Sequence, residues 1–568
     1  MAFLRVRDTK SGKYHYQVEA YWDKEKQQPR KREIYLGKEN PKTGEVSPVR
    51  HLSLSTSLDR VRDYGAVAVC RFLAEQHGIL PALHEAFSEE FAESVFLMAA
   101  FLVSEMMPLS YFEKWADGVK HEYTGKKSDW TSKGVSGILQ ELGTESGKRL
   151  DFLGKLVDLN RESFTTALID ITSISTYSKL DGWAAFGHNR DGESLAQVNV
   201  QLTVLEPCGL PVALRMVEGS ISDVSTLTNA ILLLKSLDIE GIESVLDRGF
   251  FSKANLEELA RANIKITIPV PANNLVYQNA LKTRGKELRR AKNTFSDGED
   301  LIRHISFDND DLGRKYRFHL YLNETRQVDE NNHLYSQLEK AESDFKDKAP
   351  KSKREAFARL GKILPKTRML FLKVVPGENG DWRLERRAKA LARQEKKSGH
   401  MLLLTENRTK SGMEMLEGYR SRDSVEKLID NLKNALELDR LRNHSYEASE
   451  GKLFVALVAM MLHSALQQGL APSGKELKRR LTPREVLLDL RRIKIIPLPD
   501  GAEMISEVSK RQRYALNLLG IPAEIFLSKK PSGKKNQFRY QRLMGAVLCA
   551  ERQNVKLHKP ICENFFRG

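Results

Sequence analysis

Cysteine is scarce. Cys70, Cys208, Cys549 and Cys562 are the only four in 568 residues, and no two are close enough to form a Cys-x-x-Cys pair. That excludes a disulfide framework and a zinc knuckle, and it points to a reducing, cytoplasmic setting. Long apolar runs are missing as well. The longest, Leu453 to Leu462 (LFVALVAMML), is ended by His463. A membrane-spanning helix needs about 20 apolar residues, so this run reads as a buried core helix and no membrane partner is expected. The opening residues, MAFLRVRDTKSGKYHYQ, contain no apolar segment of the signal-peptide kind. The 13 histidines include no HExxH, and no Gly-x-Ser-x-Gly elbow is present. Gly143 and Gly147, ahead of Lys148, are separated by three residues where a phosphate-binding loop needs four. Zincin, serine-hydrolase and P-loop chemistries are therefore excluded.

Positive charge is abundant: 91 Lys+Arg stand against 75 Asp+Glu, a formal net charge of +16. The hydrophobic fraction of 41% is that of a folded protein. The length calls for several domains, because single cores stop growing at roughly 250–300 residues. A polyanionic partner follows from the charge, and its distribution narrows the choice. Residues 271–400 carry about +10, 501–568 about +8 and the first 60 about +5, which leaves the remainder net acidic. Basic regions around a less basic centre suggest parts that grip DNA around a working site.

Hydrophobic periodicity divides the chain. Residues 1–55 alternate polar and apolar (KYHYQVEAYW, REIYLG), as expected of a β-rich module. Residues 56–160 have helical spacing and could contact DNA. Residues 161–270 read as strand, strand, strand, helix, strand, helix, strand, with a turn at Pro207-Cys208-Gly209. That order describes a mixed α/β sheet with an antiparallel start. Residues 271–400 interrupt it with short strands among Lys/Arg-rich helical stretches, as an insertion would. Residues 401–450 resume with a strand and a long helix entered through a turn at Gly412, and 451–568 read as a helical, basic C-terminal region.

Three places carry chemistry. Asp170 lies inside SFTTALIDITSIS, otherwise a buried strand, with Thr172 on the same face. A carboxylate buried there must be paired or bound to a metal, unless it caps amides at a frayed strand end. Asp247 follows the strand candidate Ile242–Leu246, at the end where α/β sheets place their sites; the plain alternative is an Asx turn. In GYRSRDSVEKLIDNLKN, Tyr419, Arg422, Glu426 and Lys433 project at about 0°, 300°, 340° and 320° around one helix, beside an apolar stripe. A solvated salt-bridge face is the alternative, since Arg422 and Glu426 are four apart. Three carboxylates from two strands and a helix suit a hard divalent cation. Two such ions could clamp the attacking and leaving oxygens of a phosphodiester.

These residues resemble the DDE triad of bacterial insertion-sequence transposases with an RNase H-like core. LIDITSIS looks like the first-strand Asp, LDRGFFS like the segment after the fourth strand, and GSISDVSTL (219–227) also matches. Tyr419, Arg422, Glu426 and Lys433 match without a gap the Tyr-Arg-Glu-Lys pattern of the insertion-sequence-four-like group. The separation of 179 residues between Asp247 and Glu426 leaves room for the mostly β insertion of that group. The resemblance implies an α/β fold with an RNase H-like mixed-sheet core, a β-rich insertion, an N-terminal β module and flanking helical regions. It implies a catalytic triad of Asp170, Asp247 and Glu426 holding two Mg2+ ions, with Mn2+ able to substitute. Arg422 and Lys433 would hold DNA phosphates, and Tyr419 would lie beside the cleaved end. Trp183 and Trp382 are candidates for stacking on an unpaired base, with simple packing as the alternative.

The activity implied is cut-and-paste transposition: cleavage at inverted-repeat ends, then strand transfer into target DNA by a homodimer in the bacterial cytoplasm, associated with the nucleoid. The rivals are a non-catalytic DNA-binding derivative and a structure-specific nuclease on the same core. If the insertion's charge lines the DNA path, neutralising Arg383, Arg386 and Arg387 weakens end binding and flattens its salt dependence. Binding isotherms at several salt concentrations test this, and unchanged isotherms would assign the charge to another purpose.

Overall fold

In a computed structural model of the chain, residues 2–526 are described except 10–11, 24–27, 40, 42–45, 49–60, 126, 177–182, 184–195, 218–223, 240–241, 299, 378–379, 435–439, 442, 444, 474–480 and 498–502. Cys549, Cys562, the basic tail and Gly219 to Asp223 of the GSISD segment lie outside the described residues.

The alternating N-terminal sequence forms a sheet. Strands β1 (Ala2–Thr9), β2 (Gly12–Asp23), β3 (Gln28–Glu39) and β4 (Val46–Pro48) pair in chain order, all antiparallel. Facing positions bring the rings of Tyr16 and Tyr35 within 5.2 Å and let Arg5 and Arg7 share Glu33.

A two-residue strand, β5 (Arg62–Asp63), precedes the region of helical spacing. That region folds into α1 (Gly65–Gln76), α2 (Ile79–Ala86), α3 (Glu89–Glu105), α4 (Phe112–Gly118), α5 (Ser132–Thr144) and α6 (Ser146–Leu159).

The core sheet starts with β6 (Phe164–Thr176), β7 (Ala196–Pro207) and β8 (Leu210–Val217), an antiparallel meander. The last turn is made by Gly209 at φ +62°, a conformation that suits glycine. Then come α7 (Val224–Ser236), β9 (Glu243–Leu246), α8 (Lys253–Arg261) and β10 (Lys265–Pro269). β9 is parallel to both β6 and β10. The five strands thus stand side by side as third, second, first, fourth and fifth. This mixed sheet is the RNase H-like arrangement expected.

Residues 271–400 hold α9 (Leu275–Leu288), β11 (Thr294–Asp297), β12 (Asp300–Asn309), β13 (Tyr316–Asn323), α10 (Glu324–Asp347), α11 (Lys353–Ile363), α12 (Lys366–Met369), β14 (Leu372–Pro376), β15 (Trp382–Arg386) and α13 (Ala388–Glu395). β11 to β13 continue the core sheet through β16 (His400–Thr405), which pairs antiparallel with β10 and β13. The hairpin of β14 and β15 packs with α10, α11 and α13 around a separate small core that includes Leu338, Phe345 and Leu360. Trp382 packs against that core. Arg386 is not a free DNA contact: it makes a two-point hydrogen bond to Glu342 and lies over the Tyr335 ring, whereas Arg383 and Arg387 are exposed. Counting charges cannot separate a cation tied to a neighbouring helix from one facing solvent.

The chain closes the core with α14 (Gly412–Arg420), α15 (Arg422–Asn434), β17 (Arg440–Leu441) and α16 (Tyr446–Gly469). α16 contains the apolar run, and every residue from Leu453 to His463 is buried. It joins the helical region to the sheet in one continuous apolar core. Trp183 packs there too, its ring 4.6 Å from that of Tyr446. α5 and α16 cross backbone to backbone at two glycines. A Cβ on Gly143 would stand 1.9 Å from the Glu447 carbonyl, and one on Gly451 would stand 1.9 Å from that of Leu139. Gly143, one end of the rejected phosphate-loop pattern, is therefore a packing residue. Gly451→Ala is expected to cost about 1–3 kcal/mol or more, because neither backbone can withdraw. Gly154→Ala, where a Cβ meets open space, is expected to be neutral or to stabilise by about 0.5–1 kcal/mol. Thermal unfolding of the two variants side by side checks the contrast.

Candidate active site

Register sets the first two carboxylates. β6 and β9 run parallel, and their last paired residues are Ile169 and Leu246. One step further, Asp170 and Asp247 emerge beside each other where β9 ends. Asp170 is not at a frayed end: it lies mid-strand, pairs in register with Leu202 of β7, and is 5% exposed. Asp247 starts a short 3-10 turn, Arg248–Phe250, but its side chain makes no cap hydrogen bond, so it is not an Asx turn. Its carboxylate is directed elsewhere.

The direction is given by α15, which packs on β6 and β7 through the apolar stripe of Val425, Leu428 and Ile429. Arg422, its first residue, is 6% exposed. Its Nη1 donates to Asp247 Oδ1 at 2.9 Å, and its Nη2 lies 3.5 Å from Asp170 Oδ1 and 3.9 Å from Glu426 Oε1. One guanidinium thus holds three carboxylates from two strands and a helix. Burial lowers the proton affinity of Arg422, but the charges of Asp247 and Asp170 reverse the effect and hold it above its ordinary value. Glu426 stays largely exposed at the mouth. The solvated-face alternative fails at Arg422, which is buried.

Tyr419 sits on the preceding helix. The predicted single helix breaks at Ser421, whose hydroxyl donates to the Gly418 carbonyl, so Tyr419 lies in the last turn of α14 and Arg422 begins α15. The stripe survives the break: the Arg422 guanidinium carbon lies 5.8 Å from the centre of the Tyr419 ring. Burial raises the Tyr419 phenol above its ordinary value, against the pull of Arg422. Lys433 shares the stripe but not the cluster. It is half-buried in the last turn of α15, seven residues or about 10 Å along the axis from Glu426.

Two buried polar groupings brace this arrangement. Glu243, at the start of β9, accepts from Lys410 Nζ at 2.8 Å, Asn407 at 3.2 Å and the Thr267 hydroxyl. Burial pushes its carboxyl up, but these partners hold it below its ordinary value. A Glu inside a buried strand is the same anomaly that singles out Asp170, so this residue was findable from sequence. The second grouping is the pair His304 and His319, with Nε2 and Nδ1 3.0 Å apart and burial pushing both imidazoles down to about 4. They lie beneath the start of α14, whose Gly412 would drive a Cβ into the His304 ring. Gly412 is not a turn before the helix but its first residue, entered by a capping box of Ser411 and Glu414.

The donor set suits a divalent cation in kind: carboxylate oxygens carrying three formal negative charges around one place now filled by a guanidinium. Among the described residues no three His, Cys, Asp or Glu side chains converge on one another closely enough to hold an ion directly.

The family model for the transposase DDE domain matches residues 163–462, more than half of the chain and all of this site. The chain belongs to the DDE transposase family. It is accordingly a DNA transposase, an enzyme family that cleaves and transfers DNA and generally uses divalent ions. Comparison with curated proteins finds no match. Among solved structures the transposase is matched to a piggyBac transposase synaptic complex with hairpin DNA, at 11% identity, a TM-score of 0.32 and 79% coverage of each chain. At that TM-score the likeness does not bear on the fold.

The arginine's hold on Asp170 is measurable. Arg422→Ala removes the guanidinium from beside a buried carboxylate and is expected to destabilise this transposase by about 3–5 kcal/mol. Adding Asp170→Asn to that variant recovers much of the loss, so unfolding of the four proteins in a double-mutant cycle yields a clear coupling. Additive effects would mean the pair does not interact.

Proposed function

We propose that the protein is a metal-dependent cut-and-paste DNA transposase of the insertion-sequence-four-like group, with Asp170, Asp247 and Glu426 as its catalytic and metal-holding acids. The observation that supports this reading is the gathering of the three acids around one buried guanidinium, with a tyrosine ring alongside. Two Mg2+ ions, or Mn2+ in their place, would activate a water and steady the charge on the attacking and leaving oxygens.

The chain's own groups do the rest. Asp170 and Asp247 are aligned by strand register, so their spacing is set by the sheet and not by loop motion. Glu426 approaches from α15, which packs on the sheet through its apolar stripe. Arg422 and Lys433 lie on one stripe of α15, eleven residues or about 16 Å apart along the axis, so each would hold a different, non-adjacent phosphate of the bound DNA. Tyr419 offers an aromatic face beside the point of cleavage. The freed 3′-hydroxyl then serves as the nucleophile for hairpin formation or for joining to target DNA, with no covalent protein–DNA link. Two ends must be processed together, so a homodimer is the working form, acting on the nucleoid of a bacterial cell.

The decisive experiment is nicking of a duplex carrying the element's terminal repeats, with Mg2+, by wild type and by Glu426→Gln. Wild type is expected to cut and then join strands. Glu426→Gln and chelator-treated wild type are expected to fall to background while still binding DNA. Equal cutting by wild type and variant refutes the assignment. Binding without cutting by wild type favours a non-catalytic derivative, and cutting without joining favours a nuclease.

A further inference from the structure

We infer that Arg422 is a tethered competitor for the cation that the three acids hold, so that the DNA-free transposase resists metal loading until a phosphate draws the arginine away. The inference rests on the metal-holding reading of Asp170, Asp247 and Glu426. It concerns what occupies their centre before DNA arrives.

The acids do not converge on one another; they converge on the guanidinium, at 2.9, 3.5 and 3.9 Å. Arg422 and Asp170 side chains are 7% and 8% exposed, so the arginine covers the deepest ligand. An ion entering from solvent meets Asp247 and Glu426, at 28% and 61% exposure, before it can reach Asp170. It also meets a fixed positive charge. With Arg422 in place the cluster has a formal charge of −2, and without it −3.

A guanidinium cannot relieve that conflict by losing its proton. It can only move. Burial makes moving costly unless Arg422 gains another anion, and a phosphodiester is the anion whose geometry suits a two-point guanidinium contact. The shortest contact, to Asp247, anchors the fork, and the longest, to Glu426, is the first to part. Departure takes one positive charge from the cluster, taking its formal charge from −2 to −3 and opening the centre to a cation. DNA and metal then promote each other's binding, and the coupling is reciprocal. In the absence of DNA the arginine offsets part of the acids' charge and occupies their centre, which keeps the enzyme from cutting unselectively.

The test is Mn2+ binding to the full-length, DNA-free protein, read from loss of the free-ion paramagnetic resonance signal. Arg422→Gln is expected to bind Mn2+ at least roughly ten-fold more tightly than wild type. Adding Asp170→Asn to it should remove the gain, which locates the ion at this site. Arg422→Lys keeps the charge but has no fork to bridge the acids, so it is expected to fall between the two. If the glutamine variant does not fold, the comparison of lysine variant with wild type stands alone. A melting temperature raised more by Mn2+ in Arg422→Gln than in wild type is the second readout. Mn2+ binding by the variants equal to or weaker than wild type overturns the inference and leaves the metal reading intact. No Mn2+ binding by any of the proteins overturns both.

Discussion

A carboxylate in the middle of a buried strand needs a counter-charge, and here Asp170 shares the guanidinium of Arg422 with Asp247 and Glu426. Much of the site follows from meeting that requirement. The arginine must reach the sheet from a helix, so α15 has to lie across β6 and β7, and its apolar stripe holds it there. Asp247 must stand beside Asp170, so β9 has to end at Leu246, one residue before Asp247, in parallel register. A one-residue slip would turn Asp247 to the other face of the sheet.

The arrangement is preserved by packing well away from the acids. α16 runs through the core between helices and sheet, and the glycine-to-backbone crossing with α5 leaves no slack. On the other side, Glu243 ties β9 to Lys410 and to the threonines of β10 and β16, while the His304 and His319 pair supports the start of α14. The strands from residues 271–400 widen the same sheet, so the long stretch between Asp247 and Glu426 does not separate them in space. Metal chemistry would then be one use of a charge cluster that folding has already partly offset.

Much of this was legible in the residues because buried charge is rare and periodicity is strict. Asp170 stood out against its apolar strand, and the spacing of Tyr419, Arg422, Glu426 and Lys433 predicted a shared stripe, which survives a helix break at Ser421. Glu243 carries the same signal less legibly, because a glutamate at the start of a short strand reads easily as a turn residue. Arg386 shows the opposite limit: its charge alone suggests a DNA surface, but its partner Glu342 lies 44 residues away in sequence, on a helix that only folding brings near. Trp183 and Trp382 were likewise open to two readings, and each packs against a core.

The order of strands and helices in the core, the anomaly of a carboxylate at Asp170 and the stripe on which Arg422 and Glu426 lie were determined by the sequence alone, since each depends on local period or on the cost of burying a charge. The tertiary structure decided what those groups do to one another. Whether a cation at position 422 faces solvent, a phosphate or the carboxylates depends on distances between elements far apart in the chain. Those distances are set by strand register and helix packing, which no single segment encodes. The sequence marked Arg422 as a phosphate contact; the fold shows it already engaged, at the centre of the acids it accompanies.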